Sequence, residues 1–146
     1  MLLRRDAKWV WNEECENAFQ QLRAGLRNAP VLSYPNLKDD STLILTCDAS
    51  TKAIGYYLTE RYADGSEKLL GSGGRMLRDA ETRYTISEIE CLSIVSGCSQ
   101  YRHYLATPFV VRTDHLSLKY LQSMASSNNS RLYRWSLWLS TFPYSV

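Results

Sequence analysis

The sequence has no apolar run approaching the length a bilayer requires, no Cys-x-x-Cys pair, no internal repeat and no clear excess of either charge. Each absence removes a class of function. Without a long apolar run there is no membrane-spanning helix to expect. The start MLLRRDAKW sets charges directly behind a very short apolar stretch, which is not the order of a secretory signal. The expectation is an intracellular protein, cytoplasmic or nuclear, with no membrane partner. The four cysteines, Cys15, Cys47, Cys91 and Cys98, are scattered, so they read as reduced, buried thiols rather than disulfides or zinc ligands. Seventeen Lys and Arg against fifteen Asp and Glu leave a net charge of +2, which permits a nucleic-acid partner without arguing for one. What is present is ordinary globular material: 146 residues, 45% hydrophobic and 22% charged, enough for one compact domain with a real core.

The order of elements follows from periodicity and punctuation. In NEECENAFQQLRAGLRNAP, the residues Cys15, Ala18, Phe19, Leu22 and Leu26 recur at helical spacing, and Pro30 closes the segment. STLILTCDA and IGYYLTE are rich in β-branched and aromatic residues, and ADGS sits at a hairpin position before EKLLGSG, so three antiparallel strands are expected. Thr85 to Leu105 reads as a helix, with Thr85 and Glu88 spaced as a capping box. FVVRTDH is a further strand, LSLKYLQS a short helix, SMASSNNS a polar loop, RLYRWSLWLS another helix, and FPYSV the opening of a last strand. The fold class is α/β, a mixed sheet of three antiparallel and then parallel strands flanked by helices.

Three acids stand out within this order. If Leu43 to Ala49 is a strand, Ile44, Thr46 and Asp48 share one face, and Asp48 ends a buried element where a carboxylate is costly unless paired or bound to a cation. Asp114 ends FVVRTD in the same way, although TD before HLSL also reads as a helix N-cap. Glu88 and Glu90 border opposite edges of the apolar arc of the long helix, and periodicity does not choose between them. Two parallel strands ending in carboxylates under a helix Glu gather hard oxygen ligands of the kind Mg²⁺ or Mn²⁺ takes, suited to phosphodiester cleavage. Trp135 and Trp138 share a helical stripe as core or interface anchors.

From Trp9 onward the chain resembles the RNase H region of the reverse transcriptase of gypsy-like LTR retrotransposons. WVWNEECENAFQQLRAGLRNAPVLSYPN, LTCDASTKAIGYYLTE, RMLRDAETRYTISEIECLSIV, YRHYLATPFVVRTDHLSLKYL and RLYRWSLWLS occur in that family's order. The resemblance implies a connector helix and linker over 1–36 and an RNase H-like domain over 37–146. It implies cleavage of the RNA strand of RNA:DNA hybrids by two Mg²⁺ or Mn²⁺ ions, with the polymerase part of the same polyprotein as a further partner. The metal-binding and catalytic acids carry over as Asp48, as Glu90 because it stands directly before CLSIV, and as Asp114. Ser50, His115, Arg131 and Arg134 are the candidates to touch hybrid phosphates.

Departures from the family pattern sharpen the expectations. The pattern continues into a helix with a fourth metal-binding Asp, for which this sequence has no counterpart, so the reading expects a C-terminally truncated domain with a weakly held second ion. Tyr56 stands where a small residue is usual, and GSGGR replaces an aromatic-x-Ser-Arg pattern, so the third strand is expected to be irregular. The alternative function is a domesticated, catalytically weak or inactive domain that binds a protein partner or a second copy through apolar surface at Trp135, Trp138 and Phe142.

Overall fold

The structure is a computed structural model that describes residues 10–27, 32, 34–36, 40–114 and 129–146. It divides into two units, Met1–Val31 and Leu32–Val146. The first holds helix α1, Glu13–Arg27, with Asn12 Oδ1 accepting the Cys15 N–H at its start. Glu13, Glu14 and Glu16 in the first turn and Arg27 in the last complement the helix dipole. Trp11 folds back onto this helix: its indole N–H donates to Glu16 at 2.7 Å and its ring meets Phe19 edge-on at 5.9 Å. Pro30, expected to close the helix, lies outside the described residues.

The second unit is built on five strands: β1 Thr42–Ala49, β2 Ala53–Arg61, β3 Glu67–Met76, β4 Phe109–Arg112 and β5 Tyr144–Ser145. Their spatial order is β3-β2-β1-β4-β5. β1, β2 and β3 pair antiparallel, whereas β1–β4 and β4–β5 are parallel, which is the mixed sheet the sequence led us to expect. A parallel pair needs a crossover. Helix α2, Ile86–Gln100, supplies it between β3 and β4, and α3, Ser130–Leu139, precedes β5. Among the described residues no helix is long and apolar enough to cross a membrane.

Local chemistry sets the turns. Between β1 and β2, Ser50 Oγ accepts the Lys52 and Ala53 amides at 3.2 and 3.1 Å, closing a tight bend. Between β2 and β3, Asp64 accepts from the Ser66 amide and hydroxyl, and Gly65 takes the φ of +83° that only glycine adopts freely. β3 is irregular at one place: a register shift between Leu58 and Thr59 leaves Leu70 as the extra residue of a bulge. The glycine run that follows stays paired to β2.

The core lies between α2 and one face of the sheet, where Leu43, Leu45 and Cys47 of β1, Leu58 and Ile54 of β2 and Val111 of β4 meet Ile94 and Cys98. Tyr56 and the glycines of β3 form one packing unit. A Cβ on Gly73 would lie 2.6 Å from the Tyr56 ring, and one on Gly71 would lie 2.8 Å from Tyr101. The two sequence departures therefore compensate each other: a large ring on β2 occupies the space left bare on β3. The Tyr56 hydroxyl donates to Gln100 at 2.9 Å and pins the end of α2. On the opposite face, Arg112 of β4 reaches across β1 and β2 to Glu67 of β3 at 2.7 Å, and Thr59 also donates to Glu67.

Three expectations are corrected or displaced. The long helix stops at Gln100 rather than Leu105, because Tyr101 leaves helical geometry and the chain proceeds through turns. The short helix expected at LSLKYLQS and most of the polar loop lie outside the described residues. Trp135, Trp138 and Phe142 do not form an exposed apolar patch: all three are half-buried against the core, with Trp138 and Phe142 in edge contact at 4.9 Å.

Candidate metal centre

The site begins with register. Thr46 of β1 is level with Arg112 of β4 in a parallel pair, so two residues further on Asp48 and Asp114 emerge at the same end of neighbouring strands. Helix α2 starts over that end, and Glu90 lies in its second turn. One carboxylate oxygen from each of Asp48, Glu90 and Asp114 lies within 4.8 Å of the others. Asp48 and Asp114 are exposed and Glu90 is 6% exposed. The desolvation expected at Asp48 thus falls on the helix glutamate. Burial, then Asp114, then Asp48, push the Glu90 carboxyl up to about 7. Its Oε2 is buried with no hydrogen-bond partner among the described residues. A buried, unpartnered carboxylate oxygen between two further carboxylates fits a hard divalent cation: the charge that destabilises the cluster is the charge an ion neutralises. Cys47, beside Asp48, is no part of this donor set, because burial holds its thiol well above the usual range.

Glu88, the other glutamate, has a different role. Its Oε2 accepts the Thr85 N–H at 2.8 Å while its own N–H donates to Thr85 Oγ, a complete capping box. Its Oε1 accepts from Asn129 at 3.1 Å and from Arg131 at 2.5 Å. Burial alone would raise its carboxyl, but the Thr85 amide, Asn129, Arg131 and the Thr85 hydroxyl together hold it down at about 2. Asn129 also caps α3, accepting the Arg131 and Leu132 amides.

The remaining sequence candidates are dispersed. Arg131 is taken up by Glu88 and by the Tyr84 ring, 3.9 Å beneath its guanidinium. Arg134 is exposed, and its Nε donates to the Ser130 carbonyl of its own helix. Ser50 is exposed two residues from Asp48, at the edge of a cavity of about 220 Å³ that Ile86, Ile89 and Glu90 also line. His115 lies outside the described residues. A second recess, about 370 Å³, is lined by Thr46, Arg112 and Thr113 beside Asp48 and Asp114. Sequence reasoning passed over Thr46 and Arg112 as chemistry, although the period of two that places Asp48 and Asp114 places these residues on the same faces.

Residues 38–142 match the family described as the RNase H-like domain found in reverse transcriptase. The chain belongs to that family. It is 29% identical over 149 aligned positions to the transposon Tf2-3 polyprotein of Schizosaccharomyces pombe, and equally to the Tf2-4 polyprotein, covering 99% of this chain and 11% of each relative. The chain thus spans about a tenth of the length of these relatives. Among solved structures, a foamy viral protease-reverse transcriptase in complex with RNA/DNA hybrid is similar over 95% of this chain and 19% of that one, at 18% identity and a TM-score of 0.61. RNase H1 of the halophilic archaeon Halobacterium salinarum is similar over 72% of this chain and 81% of that one, at 12% identity and a TM-score of 0.51. At such identities the likeness establishes the shared fold.

Proposed function

We propose that this RNase H-like domain cleaves the RNA strand of RNA:DNA hybrids as part of a reverse transcriptase of the gypsy-like LTR retrotransposon type. In this reading residues 1–36 are the connector from the polymerase part and 37–146 the nuclease domain, acting inside the cell. The observation that carries it is the convergence of Asp48, Glu90 and Asp114, drawn from three distant segments. These acids would hold Mg²⁺ or Mn²⁺, which when bound activates water and stabilises the leaving oxygen in phosphodiester hydrolysis. The chain's own contribution is positional and electrostatic. Asp48 and Asp114, exposed at the strand ends, face the side from which a duplex backbone can approach. Glu90 closes the site from the interior and must give up its proton before it can ligate. Ser50, whose hydroxyl shapes the bend after Asp48, stands at the rim where the hybrid backbone would pass. An interaction module has less support, since the aromatic surface it would use is packed against the core.

The test is Mn²⁺ binding by calorimetry, with hybrid cleavage measured alongside. Asp48→Asn is expected to remove measurable Mn²⁺ binding and to lower cleavage about a hundredfold, about 2.7 kcal/mol in barrier height. Unchanged binding and cleavage in Asp48→Asn, or cleavage that persists in excess chelator, would overturn the assignment.

A further inference from the structure

Glu90 is the one buried acid of the three. Its Oε2 has no hydrogen-bond partner among the described residues, and Asp48 and Asp114 repel it. What keeps it in place must therefore be the backbone of the first turns of α2. That backbone is held by Glu88, which faces away from the acid cluster. One Glu88 oxygen closes the capping box on Thr85, and the other accepts from Asn129 and Arg131 at the start of α3. Arg131 also stacks on Tyr84, immediately before the cap, and Trp135, one turn further along α3, meets the same ring at 6.1 Å. Glu88 is 5% exposed, so the ion pair is largely withdrawn from solvent on the carboxylate side.

We propose that the Glu88–Arg131 pair is a positioning element for the metal centre: it fastens the first turn of α2 to α3 and so holds Glu90 against the repulsion of Asp48 and Asp114. This rests on the metal-centre reading above. It also assigns Arg131 a role different from phosphate contact, since the guanidinium already has an anion and an aromatic face as partners. The geometry has a simple rationale. A ligand that lacks a hydrogen-bonding orienter of its own is oriented by its main chain, and the ion pair lies two residues away on that main chain.

The experiment measures Mn²⁺ affinity, by the paramagnetic resonance of free Mn²⁺, in Glu88→Gln, Arg131→Met, Arg131→Lys and the double variant Glu88→Gln/Arg131→Met. The double variant leaves no buried charge alone, so it guards against a simple folding failure. Glu88→Gln, Arg131→Met and the double variant are expected to bind Mn²⁺ about tenfold more weakly, with Arg131→Lys recovering part of the loss. Hybrid kcat should fall with them while KM and the salt dependence of binding stay as in the wild type. If the variants melt at lower temperature yet bind Mn²⁺ as the wild type does, the pair is structural only and the proposal fails. If Arg131→Met raises KM and shallows the salt slope by about one contact with Mn²⁺ affinity unchanged, Arg131 is a phosphate contact and the proposal also fails. Asp48→Asn runs alongside. Its insensitivity would bring down the metal centre itself, whereas its sensitivity beside insensitive pair variants would overturn only the positioning role.

Discussion

Without an ion, ionising Glu90 is opposed by burial and by Asp114 and Asp48, and among the described residues the buried oxygen finds no donor. Stability of the metal-free protein therefore depends on pH. The folded carboxyl titrates at about 7 against a reference of 4.5, so between these values the native state holds a proton that the unfolded chain has lost. This contribution to metal-free stability is fully present below pH 4.5 and is lost as the pH rises through about 7. Glu88 acts in the opposite sense: its contribution is present above 4.5 and is lost as the pH falls through about 2. Metal-free melting temperature should therefore decline from pH 5 to pH 8 in the wild type and decline less in Glu90→Gln, while Mn²⁺ affinity rises over the same range. Melts and Mn²⁺ titrations across that range check both. The choice between the two glutamates shows where sequence reading stops. Helix α2 is buried nearly all round, from Glu88 through Ile94 and again at Gly97 and Cys98, so it has no polar face from which to phase its residues. Only the family resemblance favours Glu90, and the Glu88–Arg131 contact lies beyond any local pattern because its partners are 43 residues apart.

At the scale of elements, the legible features were those written into short stretches: the capping box at Thr85, the glycine turn after Asp64 and the alternation of β1. The glycine run of β3 was legible only as an irregularity, because the ring that fills its space belongs to another strand. This coupling can be measured. Gly73→Ala puts a methyl group 2.6 Å from the Tyr56 ring and should cost about 1–3 kcal/mol of stability. In a Tyr56→Ser background the same substitution should cost clearly less, giving a coupling energy in a double-mutant cycle by urea denaturation. Equal costs in both backgrounds would mean that the Gln100 side chain, 2.9 Å from the same methyl, and not the ring, resists it. The Tyr56–Gln100 hydrogen bond also fixes the far end of the helix whose start carries Glu90, so both ends of α2 are tied to their surroundings.

Across the molecule, the three acids come from β1, α2 and the residue pair after β4, so a bound ion joins segments separated by more than 60 residues of chain, at Asp48 and Asp114. Mn²⁺ at about a hundred times its dissociation constant should add about 2.7 kcal/mol of stability, seen as a rise in melting temperature that Asp114→Asn removes. The fold's order of strands was readable from the sequence because each is locally patterned. That the strand-end aspartates meet under the helix was readable too, from two parallel strands each ending in a carboxylate; which helix glutamate joins them was not, since α2 is buried nearly all round. The thiols described at the outset acquire a use from this arrangement. Cys47 adjoins Asp48 and Cys91 adjoins Glu90, both are buried, and burial raises the Cys91 thiol to about 12. A thiol-reactive label can reach them only when the strand end or the helix start comes away from the core, and half-buried Cys15 serves as the internal control. The native cysteines thus form a built-in clock for opening of the acid site: their labelling rate, with and without Mn²⁺, times the breathing of the elements that carry Asp48 and Glu90.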